Sequence, residues 1–179
     1  MCNCDTMMQD GGAIFNSGNG EIGAIVGCHF EQGSADDGCG GAITNVGSIT
    51  LISQNVFAQN HAEKDGGAIC NRSPFTQDAE MKLIKNCTFQ GNKATRNGGA
   101  VHNDGHLGTI TDCEFKGNSA TTSGGAVYNN DNIGTIEQCH LRSNRAGKGG
   151  AISNVDTLDS VVGCRFKDNN AEAKGGGAL

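Results

Sequence analysis

The tetrapeptide Gly-Gly-Ala-(Ile/Val/Leu) returns at Gly11, Gly40, Gly66, Gly98, Gly124, Gly149 and Gly176, at intervals of 29, 26, 32, 26, 25 and 27 residues. In the first six copies the fifth residue after the first glycine is always asparagine: Asn16, Asn45, Asn71, Asn103, Asn129 and Asn154. A chain that repeats itself at this period is confined to architectures in which each repeat is one supersecondary unit stacked on the next. Composition narrows the choice. With 29 glycines, one proline, no tryptophan and 4% aromatic residues, the 179-residue chain has no material for a central core of large side chains, so apolar burial must be thin and even. Collagen and low-complexity chains are also glycine-rich, but they carry a Gly-X-Y period or abundant proline, and this sequence has neither.

One repeat reads G-G-A-I/V-x-N, turn, I/L-x-x-I, turn, C-x-F-x-x-N-x-A, turn. In the first part Val101 and Asn103 share a parity, which puts them inward and His102 outward. The outward column is mixed (Phe15, Thr44, Cys70, His102, Tyr128, Ser153), whereas the inward one is aliphatic. In the middle part Ile22, Ile49, Met81, Leu107, Ile133 and Leu158 are each followed three residues later by Ile or Val. A spacing of three breaks alternation and predicts a bend or bulge. The column Gly27, Gln54, Asn86, Asp112, Gln138, Gly163 has the chemistry of a corner requiring positive φ. Alternation then resumes, with Cys28 and Phe30, Cys87 and Phe89, Cys113 and Phe115, Cys139 and Leu141, and Cys164 and Phe166 inward.

Three short strands and three corners per coil predict an all-β fold, a right-handed parallel β-helix of about six to seven coils. Stacked at about 4.8 Å, six coils make a rod roughly 30 Å long. Residues 1–179 are expected to form a single domain that begins and ends inside a repeat, as a piece of a longer solenoid or a unit that stacks end to end. The Asn column is expected to pair along the axis, because a buried amide is costly unless hydrogen-bonded. A second column, Asn60, Asn92, Asn118, Asn144 and Asn169, marks another corner.

Gly-Gly-Ala-Ile together with Phe-x-x-Asn at Phe57, Phe89, Phe115 and Phe166 gives the sequence a family likeness. It resembles the polymorphic membrane protein repeat of chlamydial outer-membrane autotransporters and adhesin-like surface proteins. Gly33 stands where the Asn would follow Phe30, and Leu141 replaces a Phe. The resemblance implies a right-handed β-helical passenger, extracellular or displayed on a cell surface and used in adhesion toward a host surface protein or glycan.

The remaining features bear on sites. A net charge of −6 argues against nucleic-acid partners and anionic membranes. No apolar run is long enough to span a bilayer, so direct membrane insertion by this segment is not expected. The residues around Met1, Cys2 and Cys4 lack the pattern of a secretion signal. Cys28, Cys87, Cys113, Cys139 and Cys164 share one inward column; a straight row cannot make a tetrahedral metal site, so buried apolar filling is the expectation. Cys2 and Cys4 are the expected reactive pair.

Asp104, Asp131 and Asp156 are read as solvated corner residues in preference to calcium ligands, and the pair His102 and His106 as unrelated to metal. No catalytic residue, metal or cofactor is expected. Two recognition surfaces stand out. One is a basic strip of Lys116, Arg142, Arg165 and Lys167. The other is the insertion after Asn71, with Arg72, Pro74, Phe75 and Asp78. Against a non-enzymatic adhesin stand two alternatives: a self-assembling filament unit, and a polysaccharide-active enzyme, which would need convergent acids that the scattered Asp and Glu do not supply.

Overall fold

The computed structural model describes residues 10–73 and 79–172. Those residues contain no helix, and their strands assemble into four six-stranded parallel sheets. The best-formed coil runs through Val101–Asp104, His106–Thr111, Glu114–Lys116 and Ser119–Ala120, one strand per sheet. Each strand pairs with its counterparts in the preceding and following coils. Asn103 lies between Asn71 and Asn129, Phe115 between Phe89 and Leu141, and Ala120 beside Ala94. This is a β-solenoid of about six turns.

The sequence reading of three strands per coil is corrected to four. The fourth strand has only two residues, too few to leave an alternation signal, and it lies just past the second Asn corner. A positive-φ residue precedes that corner position in all six described coils, Asn in five and Gly33 in the first: Gln32, Gln59, Gly91, Gly117, Ser143 and Asp168. The other corner column behaves as its chemistry suggests, with Gln54, Asn86, Asp112 and Gln138 at φ of 56°, 51°, 53° and 50° and Gly27 and Gly163 also positive. In the second sheet, pairing runs Glu80 to His106 and Met81 to Leu107, then resumes at Leu83 with Thr109. That interruption turns both Met81 and Ile84 inward, where both are fully buried.

The glycine pair has two separate jobs. The first glycine holds a left-handed conformation, as at Gly98 (φ 65°). The second permits contact between coils: a Cβ on Gly99 would lie 2.1 Å from the Gly125 carbonyl oxygen, and one on Gly67 2.2 Å from that of Gly99. The close approach lets Gly99 N donate to Gly124 O and Ala100 N to Ala126 O, at 2.9 and 3.0 Å.

Inside, like stacks on like. Phe30, Phe57, Phe89 and Phe115 are parallel, with successive ring centroids 4.9, 4.8 and 4.7 Å apart. That spacing is the coil repeat itself, so each ring replaces water on both faces of its neighbour. Aliphatic columns through Ile43, Ile69, Val101, Val127 and Ile152, and through Ile52, Ile84, Ile110 and Ile136, complete a continuous core. Asn45, Asn71, Asn103 and Asn129 each donate Nδ2–H to the next Asn Oδ1 at 2.8 Å, and Asn16 donates to Asn45 at 2.7 Å. The same amide groups also reach backbone carbonyls, as Asn103 does to Gly105 O and Asn132 O. In the second ladder Asn92 Oδ1 accepts both the backbone N–H and the side-chain amide of Asn60, and Asn92 Nδ2 donates to Phe57 O.

Candidate functional site

The outer face of the first sheet breaks this uniformity. On Val101–Asp104 the inward residues belong to columns of like residues, but the outward positions run Thr44, Cys70, His102, Tyr128. Parity places His102 away from the core, as its sequence position indicates. Yet His102 is only 8% exposed, and Thr44 and Cys70 are fully buried. The residues that precede each Gly-Gly pair, Cys39, Asp65 and Asn97, fold alongside that face and wall it; Thr44 Oγ1 donates to Cys39 O at 2.6 Å. Outward therefore does not mean solvent-facing here.

Between the wall and the sheet lies a cleft of about 380 Å³. His102 and Tyr128 stack on its floor, with centroids 5.3 Å apart and planes 12° from parallel. Asp65 is held in place by Asn97, whose backbone N–H and Nδ2–H both donate to Oδ1 at 3.0 Å. Its Oδ2 lies 3.6 Å from an Arg96 guanidinium nitrogen. Across the cleft Arg72 pairs with Asp10 at 2.5 Å, while the other Asp10 oxygen accepts from Cys39 N. Asn130 Nδ2 donates to Asp104 Oδ1 at 2.8 Å.

Two polar atoms in this network have no partner among the described residues: His102 Nδ1 and Arg72 Nε, both buried. Asp65 Oδ1 is 4.0 Å from His102 Nδ1, beyond a hydrogen bond. Burial lowers the His102 pKa against the opposing pull of Asp65 and Asp104, so the imidazole is neutral at pH 7. The Cys70 thiol is pushed well up by burial, and a hydrogen bond from it lowers Cys39.

The residues singled out in the sequence fall in several places. Arg72 ends the strand Ile69–Arg72 and lines the cleft, whereas Pro74, Phe75 and Asp78 lie outside the described residues, as do Cys2 and Cys4. Lys116, Arg142 and Lys167 do stack in register on the third sheet, and Arg165 stands two residues earlier, beside His140. The strip is not a free row of cations, because Arg142 donates Nε–H to Glu114 at 2.8 Å. Asp104 is not in the same column as Asp131 and Asp156. It pairs with Arg72, whereas the residue equivalent to Asp131 is Gly105, since both accept the ladder amide through their carbonyls. His106 opens the second sheet and is exposed, away from His102. No group of three His, Cys, Asp or Glu gathers as a metal-ligand set among the described residues.

The cysteine column needs correction at its ends: Cys28 is exposed and Cys164 half-buried, because they sit in the outermost described coils. The buried members are more than apolar filler. Cys113 Sγ accepts Cys87 N–H at 3.4 Å and approaches Thr111 O at 3.1 Å. Asn55, which occupies the same column, accepts Cys28 N–H through Oδ1 at 2.7 Å and donates Nδ2–H to Ile25 O at 2.8 Å, the counterpart of Ile84 O, which Cys113 Sγ approaches at 3.9 Å. A thiol and an amide thus serve one corner.

Sequence reasoning placed Tyr128 after His102 in the outward column, as the register has it, but missed Asp65 and Arg96 as neighbours. The available signal was variation against the repeat: the outward column and the position before Gly-Gly change from coil to coil while the inward columns change little.

The family model for the Chlamydia polymorphic membrane protein repeat matches residues 56–72, 86–104 and 112–130. Three spans of the chain are similar to that repeat. Each matched span runs from the third sheet or the corner before it, through the second Asn corner and the glycine pair, to the first-sheet Asn. The matched part of each coil therefore holds both Asn ladders, and the second-sheet strands lie between matches. Searches of curated proteins and of solved structures returned no match.

Proposed function

We propose that this chain is a non-enzymatic, adhesin-like segment of a surface-displayed protein, in which the solenoid is a rigid mount and its flanks make contact with a host protein or glycan. The observation that carries this reading is the polymorphic membrane protein repeat in three successive coils. The geometry is compatible with it. A core of stacked columns fixes a long surface without itself being available to ligands, and the side chains that vary most from coil to coil point away from it. Surface display and adhesion come from the family and not from any catalytic or binding group.

An antibody raised against the 179-residue chain, added to intact and to permeabilised cells of the producing organism, tests the display. Labelling of intact cells is expected, and labelling only after permeabilisation contradicts the reading.

A further inference from the structure

We propose that the cleft over the first sheet is a carbohydrate site that holds one neutral sugar residue through His102, Asp65, Arg72 and the ring of Tyr128. This deepens the adhesive reading by naming a ligand class, and it rests on that reading for the claim that the flank is a binding surface.

His102 is more than nine-tenths buried among the residues that line the cleft, and its Nδ1 has no hydrogen bond. A buried polar atom left in this state costs free energy that a ligand can recover. The 4.0 Å between His102 Nδ1 and Asp65 Oδ1 is too long for a direct bond and leaves a donor and an acceptor side by side. A hydroxyl group, which both donates and accepts, can bond Nδ1 in either tautomer of the neutral imidazole and the Asp65 oxygen that Asn97 leaves free. Arg72 Nε–H, also unpartnered, needs an acceptor oxygen. Vicinal hydroxyls supply both functions at adjacent atoms.

Charge decides between a neutral sugar and an anion. Lys64, Arg72 and Arg96 are offset by Asp65, Asp104 and the Asp10 carboxylate bonded to Arg72, so the site presents no net positive field. An acidic ligand would meet Asp65 and Asp104 as it entered.

Tyr128 supplies the apolar contact. One face of its ring lies on His102, while its partner in the next coil is Ser153, too small to cover the other. A half-exposed tyrosine beside fixed polar groups suits a ligand with an apolar C–H face and a hydroxylated rim. At about 380 Å³, the volume lies at the lower end of the roughly 300–1,000 Å³ typical of small-ligand sites.

The test titrates the 179-residue chain with D-glucose, D-galactose, D-mannose and N-acetyl-D-glucosamine, and in parallel with D-glucuronate and D-galacturonate, following amide and imidazole NMR signals. At least one neutral sugar is expected to bind with a dissociation constant on the order of 1 mM. The perturbed signals should be those of Asp65, Arg72, His102 and Tyr128. Tyr128→Ala should weaken binding by about tenfold, and Tyr128→Phe by much less. Thermal unfolding of both variants identifies any loss caused by misfolding, and Arg72→Gln, at a half-exposed side chain, gives an independent loss of affinity.

Binding of the uronates alone would overturn the proposal, as would affinity unchanged in Tyr128→Ala and Arg72→Gln. So would the absence of saturable neutral-sugar binding at roughly ten times that concentration. Failure here leaves the intact-cell labelling result untouched, and failure of that labelling leaves the sugar titration standing.

Discussion

His102 and Asn103 are neighbours on one strand, both nearly excluded from solvent, and they obey opposite rules. Asn103 faces the axis and repeats the residue above and below it, so every hydrogen-bonding group on its amide is used. His102 faces away, sits between Cys70 and Tyr128, and keeps one ring nitrogen unpaired. Inside the solenoid, identity between coils is what satisfies polar groups and packs rings. On the outer face, difference between coils creates an unsatisfied cleft. Stability thus resides in the repeated columns, and binding is to be sought where repetition fails.

Substitutions break or sharpen this contrast, and the glycine pair should give the largest effect. Gly99→Ala places a Cβ 2.1 Å from a backbone oxygen of the next coil, which cannot withdraw without parting the ladder. A loss of about 3 kcal/mol or more, or failure to fold, is expected in chemical denaturation. Asn103→Ala comes next. It removes the acceptor of Asn71 Nδ2 and the donor to Asn129 Oδ1 and leaves the Gly105 and Asn132 carbonyls without the amide, for about 2–4 kcal/mol.

The outer face should respond less and mainly through pH. Because burial lowers the His102 pKa below its ordinary 6.5, the unfolded chain binds a proton that the folded chain refuses, so stability falls as pH drops through 6.5 toward the folded value. Thermal melts between about pH 7.5 and pH 5.5 should show this decline, and His102→Gln should flatten it. A decline of equal slope in His102→Gln would place the titrating group elsewhere.

The same contrast explains how much could be read from the sequence. Columns that stack like on like announce themselves, because each coil restates them: Asn103, Phe115, the Gly98-Gly99 pair and the positive-φ corner at Asp112 could all be placed from spacing alone. The fourth strand was invisible, since Ser119–Ala120 is too short to alternate. Cys113 read as filler because its contacts to Cys87 N and Thr111 O depend on the corner geometry and leave no spacing of their own. The cleft was illegible for a different reason. Counted from the glycine pairs, Asp65 closes the second repeat, Arg96 lies near the end of the third, His102 near the start of the fourth and Tyr128 near the start of the fifth, so only register brings them together. Parity told which way His102 points but not that Asn97 and Asp65 would cover it.

Everything above requires that the side-chain amides of successive coils donate directly to one another. Solution NMR of the chain with selectively labelled asparagine reads this out through amide exchange and proximity. The account predicts that the Nδ2 protons of Asn45, Asn71, Asn103 and Asn129 exchange slowly with solvent and show cross-peaks each to the next asparagine of the ladder. Rapid exchange of those protons, or cross-peaks that skip the order Asn45, Asn71, Asn103, Asn129, would contradict it.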